Sequence, residues 1–201
     1  VSVCLGVVLC TRRKQPLFFK ILLFAAASYL LGALFEGCWE LIYGNAPGGF
    51  HIGCLGYVGM WFFLFSSYFG AIDRLADGGE PMYRPYRLAA LAAPLAVLGL
   101  TAWSMTSYGP DASLPLLLPA VPMGLTLYFA LKHLLLPDVE TGIIRVMRPY
   151  NALVILLGLG QTAMLFPGLP GTAQPVVTLL VCVLLTAMLP TAEMGVRKWF
   201  M

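Results

Sequence analysis

Long apolar runs recur along this chain, and nearly all of its charge is confined to alternate connections between them. A helix needs about 20 apolar residues to cross the hydrocarbon core of a bilayer. Residue stretches 16–43, 52–72, 85–107, 114–136, 149–166 and 175–195 meet or approach that requirement. The opening run "VSVCLGVVLC", residues 1–10, is half as long and reads as the inner half of a span that starts before Val1. With 10% charged residues, against roughly 25% in ordinary water-soluble domains, most of the surface must face lipid. The predicted fold is all-α: a polytopic helical membrane protein, a seven-transmembrane bundle with a partial first span, forming one domain over residues 1–201.

Orientation follows from the basic residues. Arg12, Arg13, Lys14 and Lys20 flank the first connection, and Arg74, Arg84 and Arg87 the third. Lys132, Arg145 and Arg148 flank the fifth, while Arg197 and Lys198 follow the last span. The connections "GNAPGGFH", "GPDAS" and "PGLPGTAQ" contain neither Lys nor Arg. Lys and Arg accumulate on the cytoplasmic side, so the N-terminus is expected outside and the C-terminus inside. The tripeptide "RPY" stands before two of the outward-running spans, at Arg84-Pro85-Tyr86 and Arg148-Pro149-Tyr150. Proline in a first helical turn sacrifices no intrahelical bond, and Arg and Tyr suit the interface. Arg84, Pro85, Arg148 and Pro149 therefore read as cytoplasmic topology anchors. In "PDVETGIIRVMR", the spacing of Val139, Ile143 and Met147 fits a short amphipathic helix on the inner surface; a solvated loop is the alternative, because Gly142 interrupts the pattern.

Glu36 and Glu40 stand out, because they lie on one helix face late in the second span. An ionisable group there is costly unless it faces a cavity or finds a partner. No Lys or Arg is expected on that side, which leaves His51, Tyr43, Asn45, a cation or a proton to answer it. Glu36, Trp39, Glu40 and His51 form the candidate outer ligand, cation or proton site; the alternative is that both carboxylates simply reach headgroup water. In "IGCLGYVGMWFFLFSSYFG", Gly53, Gly56, Gly59, Ser66 and Gly70 are expected to serve helix packing, since small residues let helices approach closely. Asn151 and Gln161 are expected to bond neighbouring helices. Cys38 and Cys54 both lie near the outer surface, and whether they pair is left open by sequence alone.

Several functions are disfavoured. Net charge is +3, and no basic run alternates with aromatics, so nucleic acid is not an expected partner. His51 and His133 fall at opposite membrane faces, which excludes joint haem ligation. No spacing of His, Cys or carboxylates suggests a metal or catalytic set, and the last span lacks a lysine for a retinal Schiff base. The sequence points to no particular cofactor.

Residues 16–100 carry a resemblance. Glu36 late in an outward span, a short outer loop, "IGCLGYVGMWFFLFSSYFG" and then Pro94 in the next span resemble the seven-transmembrane N-terminal region of bacterial histidine kinases. That resemblance implies a sensor module of the bacterial cytoplasmic membrane, and only Glu36 matches a recurring acidic position. Residues 1–201 include no kinase or other output domain, so a partner or a further segment is expected to carry the signal. The expected function is thus a receptor-like module binding a small or lipidic ligand near its outer face. It would act through another membrane or cytoplasmic signalling protein, or as a homo-oligomer. A solute or ion-coupled transporter, and a non-catalytic subunit of a larger complex, are the alternatives; an enzyme is not expected.

Overall fold

The computed structural model describes residues 2–12, 15–69, 73, 79–137 and 142–200. Its elements are α1 (Ser2–Arg12), α2 (Leu17–Tyr43), α3 (Ile52–Ser67), α4 (Arg84–Ala90), α5 (Ala92–Tyr108), α6 (Pro110–Leu135), α7 (Ile143–Leu165) and α8 (Gln174–Phe200). A 3-10 turn, Pro81–Tyr83, leads into α4. No strand occurs among the described residues, so the all-α expectation holds. The stretches Leu17–Tyr43, Pro81–Tyr108, Pro110–Leu135 and Gln174–Gly195 are long and apolar enough to cross a membrane. The shorter α3 is also apolar, and helical winding continues past it through Phe69 as a wider turn. Helix α7 is long but carries Arg148, Asn151 and Gln161, which dilute its apolar character.

Local chemistry explains where the helices start and stop. Helix α2 begins after Pro16, held extended, and ends at Gly44, whose positive φ of 71° lets its N–H reach the Glu40 carbonyl at 2.8 Å. Pro94 has no N–H to offer the Ala90 carbonyl, and the long stretch 81–108 is interrupted there, at Leu91, into α4 and α5. Helix α6 starts at Pro110 and runs on through Pro115, Pro119 and Pro122. Buried hydroxyls accompany those prolines: Thr126 donates to the Pro122 carbonyl at 2.7 Å, and Ser113 bonds Ser104 of α5 at 2.8 Å.

Two boundaries differ from the sequence reading. The second "RPY" does not open its helix, because α7 begins at Ile143 with Gly142 as its left-handed cap (φ 64°). Arg148 and Pro149 therefore stand inside the helix, and Arg148 Nη2 donates to the Leu136 carbonyl just beyond α6 at 3.4 Å. The expected separate amphipathic helix merges into α7 for the same reason. Ile144 and Met147 are buried in the core, and burying them against the bundle outweighs laying them on a membrane surface; Val139 is outside the described residues. Tyr150, expected at the interface, is fully buried against Phe18 and Tyr68. The first copy keeps its assigned place, with Arg84 and Pro85 in the opening turn of α4.

Sequence neighbours pack together, as short connections require: α2 on α3, α5 on α6, α6 on α7 and α7 on α8. Helix α6 also touches α3 and α4, while α8 reaches back to α1 and α2 and closes the bundle. Helix α6 is the most enclosed, with Leu116, Met123, Leu127 and Ala130 in the core.

The closest approach is between α2 and α3. A Cβ on Gly56 would lie 2.6 Å from the Ser28 carbonyl oxygen and 2.7 Å from the Gly32 Cα. Ser28 Oγ donates to the Gly56 carbonyl at 3.0 Å, and Gly53 and Gly59 also face α2. Gly53, Gly56 and Gly59 thus pack as predicted. Ser66 does not: it is exposed and bonds the Phe62 carbonyl of its own helix at 2.8 Å. Its hydroxyl lies off the buried stripe, so it has no neighbouring helix to reach. Gly70 lies outside the described residues.

A Gly56→Val substitution is expected to separate α2 from α3 and destabilise the bundle by about 2 kcal/mol or more. Gly99→Ala on α5, where a Cβ meets nothing within 4 Å, should leave stability unchanged or slightly raised. Thermal unfolding of both variants in the same detergent measures the contrast.

Candidate functional site

One end of the bundle gathers the C-terminal part of α2, the start of α3, the start of α6 and the hairpin joining α7 to α8 around a cavity of about 560 Å³. Residues four apart share a helix face, so Glu36 and Glu40 both reach its wall, as does His51 just before α3. From α7, the residue that caps it and α8 come Met164, Phe166, Gln174 and Thr178. Three of the four predicted site residues thus meet. Trp39 is not in the lining and instead packs, tilted, against Tyr43 (4.4 Å between ring centres) and Phe35 (6.0 Å).

Glu36 is the organised member. Tyr57 Oη donates to Glu36 Oε2 at 2.6 Å, and His51 Nε2 stands 3.4 Å from Oε1. The His51 side chain is 12% exposed and that of Glu36 33%, so the pair sits at the edge of the protein interior with one side open to the cavity. The His51 ring stacks on Phe35, nearly parallel at 5.8 Å, and its Nδ1 is buried without a partner among the described residues. Tyr57 is buried (1% exposed) and its ring meets Tyr29 at 5.2 Å. Glu40 is exposed. Of the groups weighed beforehand as partners of Glu36, His51 is in place; Tyr57 was not foreseen.

Tyr57 belongs to a stripe. Tyr57, Trp61, Leu64 and Tyr68 recur at helical spacing, and all are buried. Phe62, Phe63 and Phe69 point outwards. Trp61 Nε1 donates to Gln161 Oε1 at 2.9 Å, and Tyr68 Oη donates to Asn151 Oδ1 at 2.7 Å. Gln161 and Asn151 therefore bond a neighbouring helix, as their polarity predicted. Their partners are aromatics that composition alone would assign to lipid.

At the opposite end lies a cluster that sequence reasoning missed. Asp73 Oδ1 accepts from Lys132 Nζ and sits 3.2 Å from His133 Nε2. Lys132 is 3% exposed and His133 1%, so neither is a solvated interfacial cation. Lys132 also lies 5.0 Å from the Phe129 ring centre. A clue was available: Asp73 is an acidic residue among basic ones, at the end of an apolar run.

All five cysteines are free thiols; Cys38 is exposed and Cys54 buried. Among the described residues no group of three His, Cys, Asp or Glu side chains is placed to hold a metal ion. Comparison of the chain with protein-family models, curated proteins and solved structures found no match.

Breaking the inner cluster should be costly, because removing one partner weakens the compensation of charges held away from water. Asp73→Asn or Lys132→Met alone is expected to lose about 3 kcal/mol of stability, and the double variant less than the sum. Chemical unfolding in mixed micelles, arranged as a double-mutant cycle, gives the coupling.

Proposed function

We propose that this chain is a receptor-like membrane module that takes a small ligand into the cavity beside Glu36 and acts through a partner protein. The observation that carries the reading is the cavity itself. Its volume of about 560 Å³ falls within the roughly 300–1,000 Å³ typical of small-molecule sites. Its wall combines apolar surface from Met164, Leu165 and Phe166 with a few convergent polar groups. Glu36 is held in place by Tyr57, and a pre-positioned polar group of this kind orients a ligand rather than being reorganised by it.

In a seven-crossing arrangement with an external N-terminus, this cavity would lie on the outer face. The helix ends that surround it are those joined by connections without Lys or Arg, whereas Lys132, Arg148 and Asp73 cluster at the other end. The same reading takes the protein to sit in a bacterial cytoplasmic membrane, as the resemblance of residues 16–100 implies. The partner in signalling would be another membrane or cytoplasmic protein, or a second copy of the chain. Helix α3 and the turn that continues it offer a path for the signal, because they carry Tyr57 at the cavity and Tyr68 beside Asn151 and His133.

A transporter reading draws on the buried Asp73, Lys132 and His133, since ionisable groups inside a bundle often mark ion pathways. It differs in one measurable respect: a transporter moves solute across a liposome membrane, whereas a receptor binds without flux.

Two experiments test the proposal. In a background where the native cysteines are serine, a membrane-impermeant maleimide should label Asn45→Cys in intact cells. Glu80→Cys should be labelled only after permeabilisation, and the reverse pattern overturns the orientation. A small-molecule library screened by thermal shift in detergent should yield compounds that stabilise the protein by several degrees, with no effect on Thr178→Trp, whose side chain fills the cavity. Stabilisation that survives Thr178→Trp places binding elsewhere and overturns the cavity reading.

A further inference from the structure

We infer that the ligand of this cavity is an organic cation, an ammonium or comparable head on an apolar body. The inference rests on reading the cavity as a binding site. Glu36 and Glu40 stand in its wall, and among the described residues neither Lys nor Arg lines it. Of the described lining side chains only His51 is able to carry positive charge, and its Nε2 already faces Glu36 at 3.4 Å. In a cleft with low-dielectric walls, a surplus of one charge sign focuses the field and concentrates ions of opposite sign.

Glu36 retains the capacity to accept. A carboxylate offers about four lone-pair positions, of which Tyr57 takes one at 2.6 Å. An ammonium donating to the remaining positions forms a charge-assisted bond, stronger than its neutral equivalent. The aromatic rings of Tyr29, Tyr57 and Phe166 in the same wall can face such a cation. Leu165, Met164 and Pro167 suit an apolar body. Other ligand classes fit less well. An anion would meet two carboxylates and no Lys or Arg. A bare calcium ion takes six to eight oxygen ligands, whereas among the described residues no group of three His, Cys, Asp or Glu side chains is placed to hold a metal ion.

The test uses phenylbutylammonium, with phenylbutanol and phenylbutyrate as neutral and anionic counterparts. Each is titrated calorimetrically onto the full chain in zwitterionic lipid nanodiscs at neutral pH, with empty nanodiscs subtracted. Phenylbutylammonium should bind saturably, and the other two at least about ten-fold more weakly. Glu36→Gln should weaken the ammonium by a similar factor, Glu36→Asp should retain part of the affinity, and Thr178→Trp should abolish binding. Variants are compared when monodisperse and with the wild-type far-ultraviolet circular dichroism; Glu36→Asp serves if Glu36→Gln fails to fold.

Equal binding of the alcohol and the ammonium, both lost in Thr178→Trp, overturns the cation assignment and leaves the cavity standing. Ammonium binding untouched by Glu36→Gln and Thr178→Trp overturns both. Absence of ammonium binding, or its displacement by millimolar calcium, overturns the cation assignment, and the library screen then decides the cavity separately.

Discussion

A buried polar group in an apolar surrounding can bond only to protein, and α3 is where this bundle meets that demand. Its buried stripe places Tyr57 against Glu36, Trp61 against Gln161 and Tyr68 against Asn151. Each bond joins α3 to another helix. An unsatisfied partner would cost about 1–3 kcal/mol, so these contacts select one rotation of α3 about its own axis. Hydrophobic burial alone would not, because α3 is apolar on every side and lipid receives its phenylalanines as readily as the core does.

The stripe can reach its partners because α2 gives way to α3. Gly32, Gly53 and Gly56 remove the side chains that would hold the two backbones apart. Close approach then carries His51 and Tyr57 to Glu36 on the neighbouring helix. Packing and site are therefore linked: the small residues that seem to concern only assembly also position the carboxylate. The same logic runs through α6, where a helix with three internal prolines packs against four others. Enclosure by protein makes such irregularity tolerable in an apolar setting.

Much of this was legible in advance, and the exceptions share a cause. The helix positions followed from hydropathy, and Glu36 drew notice as a carboxylate too deep for an unpartnered charge. Its partner Tyr57 was hidden because a tyrosine in an aromatic-rich helix carries no signal of its own; only rotation of α3 distinguishes it from Phe62. Lys132 was counted as one cation among twelve, yet it is buried beside Asp73. Charge patterning reports the membrane side of a residue and says nothing about its burial. The second "RPY" misled for a similar reason, since Pro149 is compatible with an early turn as well as a first one. Gly142, six residues before Arg148, supplied the actual cap.

By itself, the sequence determined that the chain is helical, apolar enough for a membrane and acidic at one late position in α2. These properties are local or additive: they depend on runs of residues and on helical periodicity. Tertiary structure alone decided that Glu36 has Tyr57 and His51 beside it, that a cavity opens there against α7 and α8, and that Asp73 meets Lys132 and His133 across 59 and 60 residues of chain. Those contacts depend on how each helix is rotated against its neighbours. Rotation is set by side chains from several helices together, which no single stretch of sequence contains.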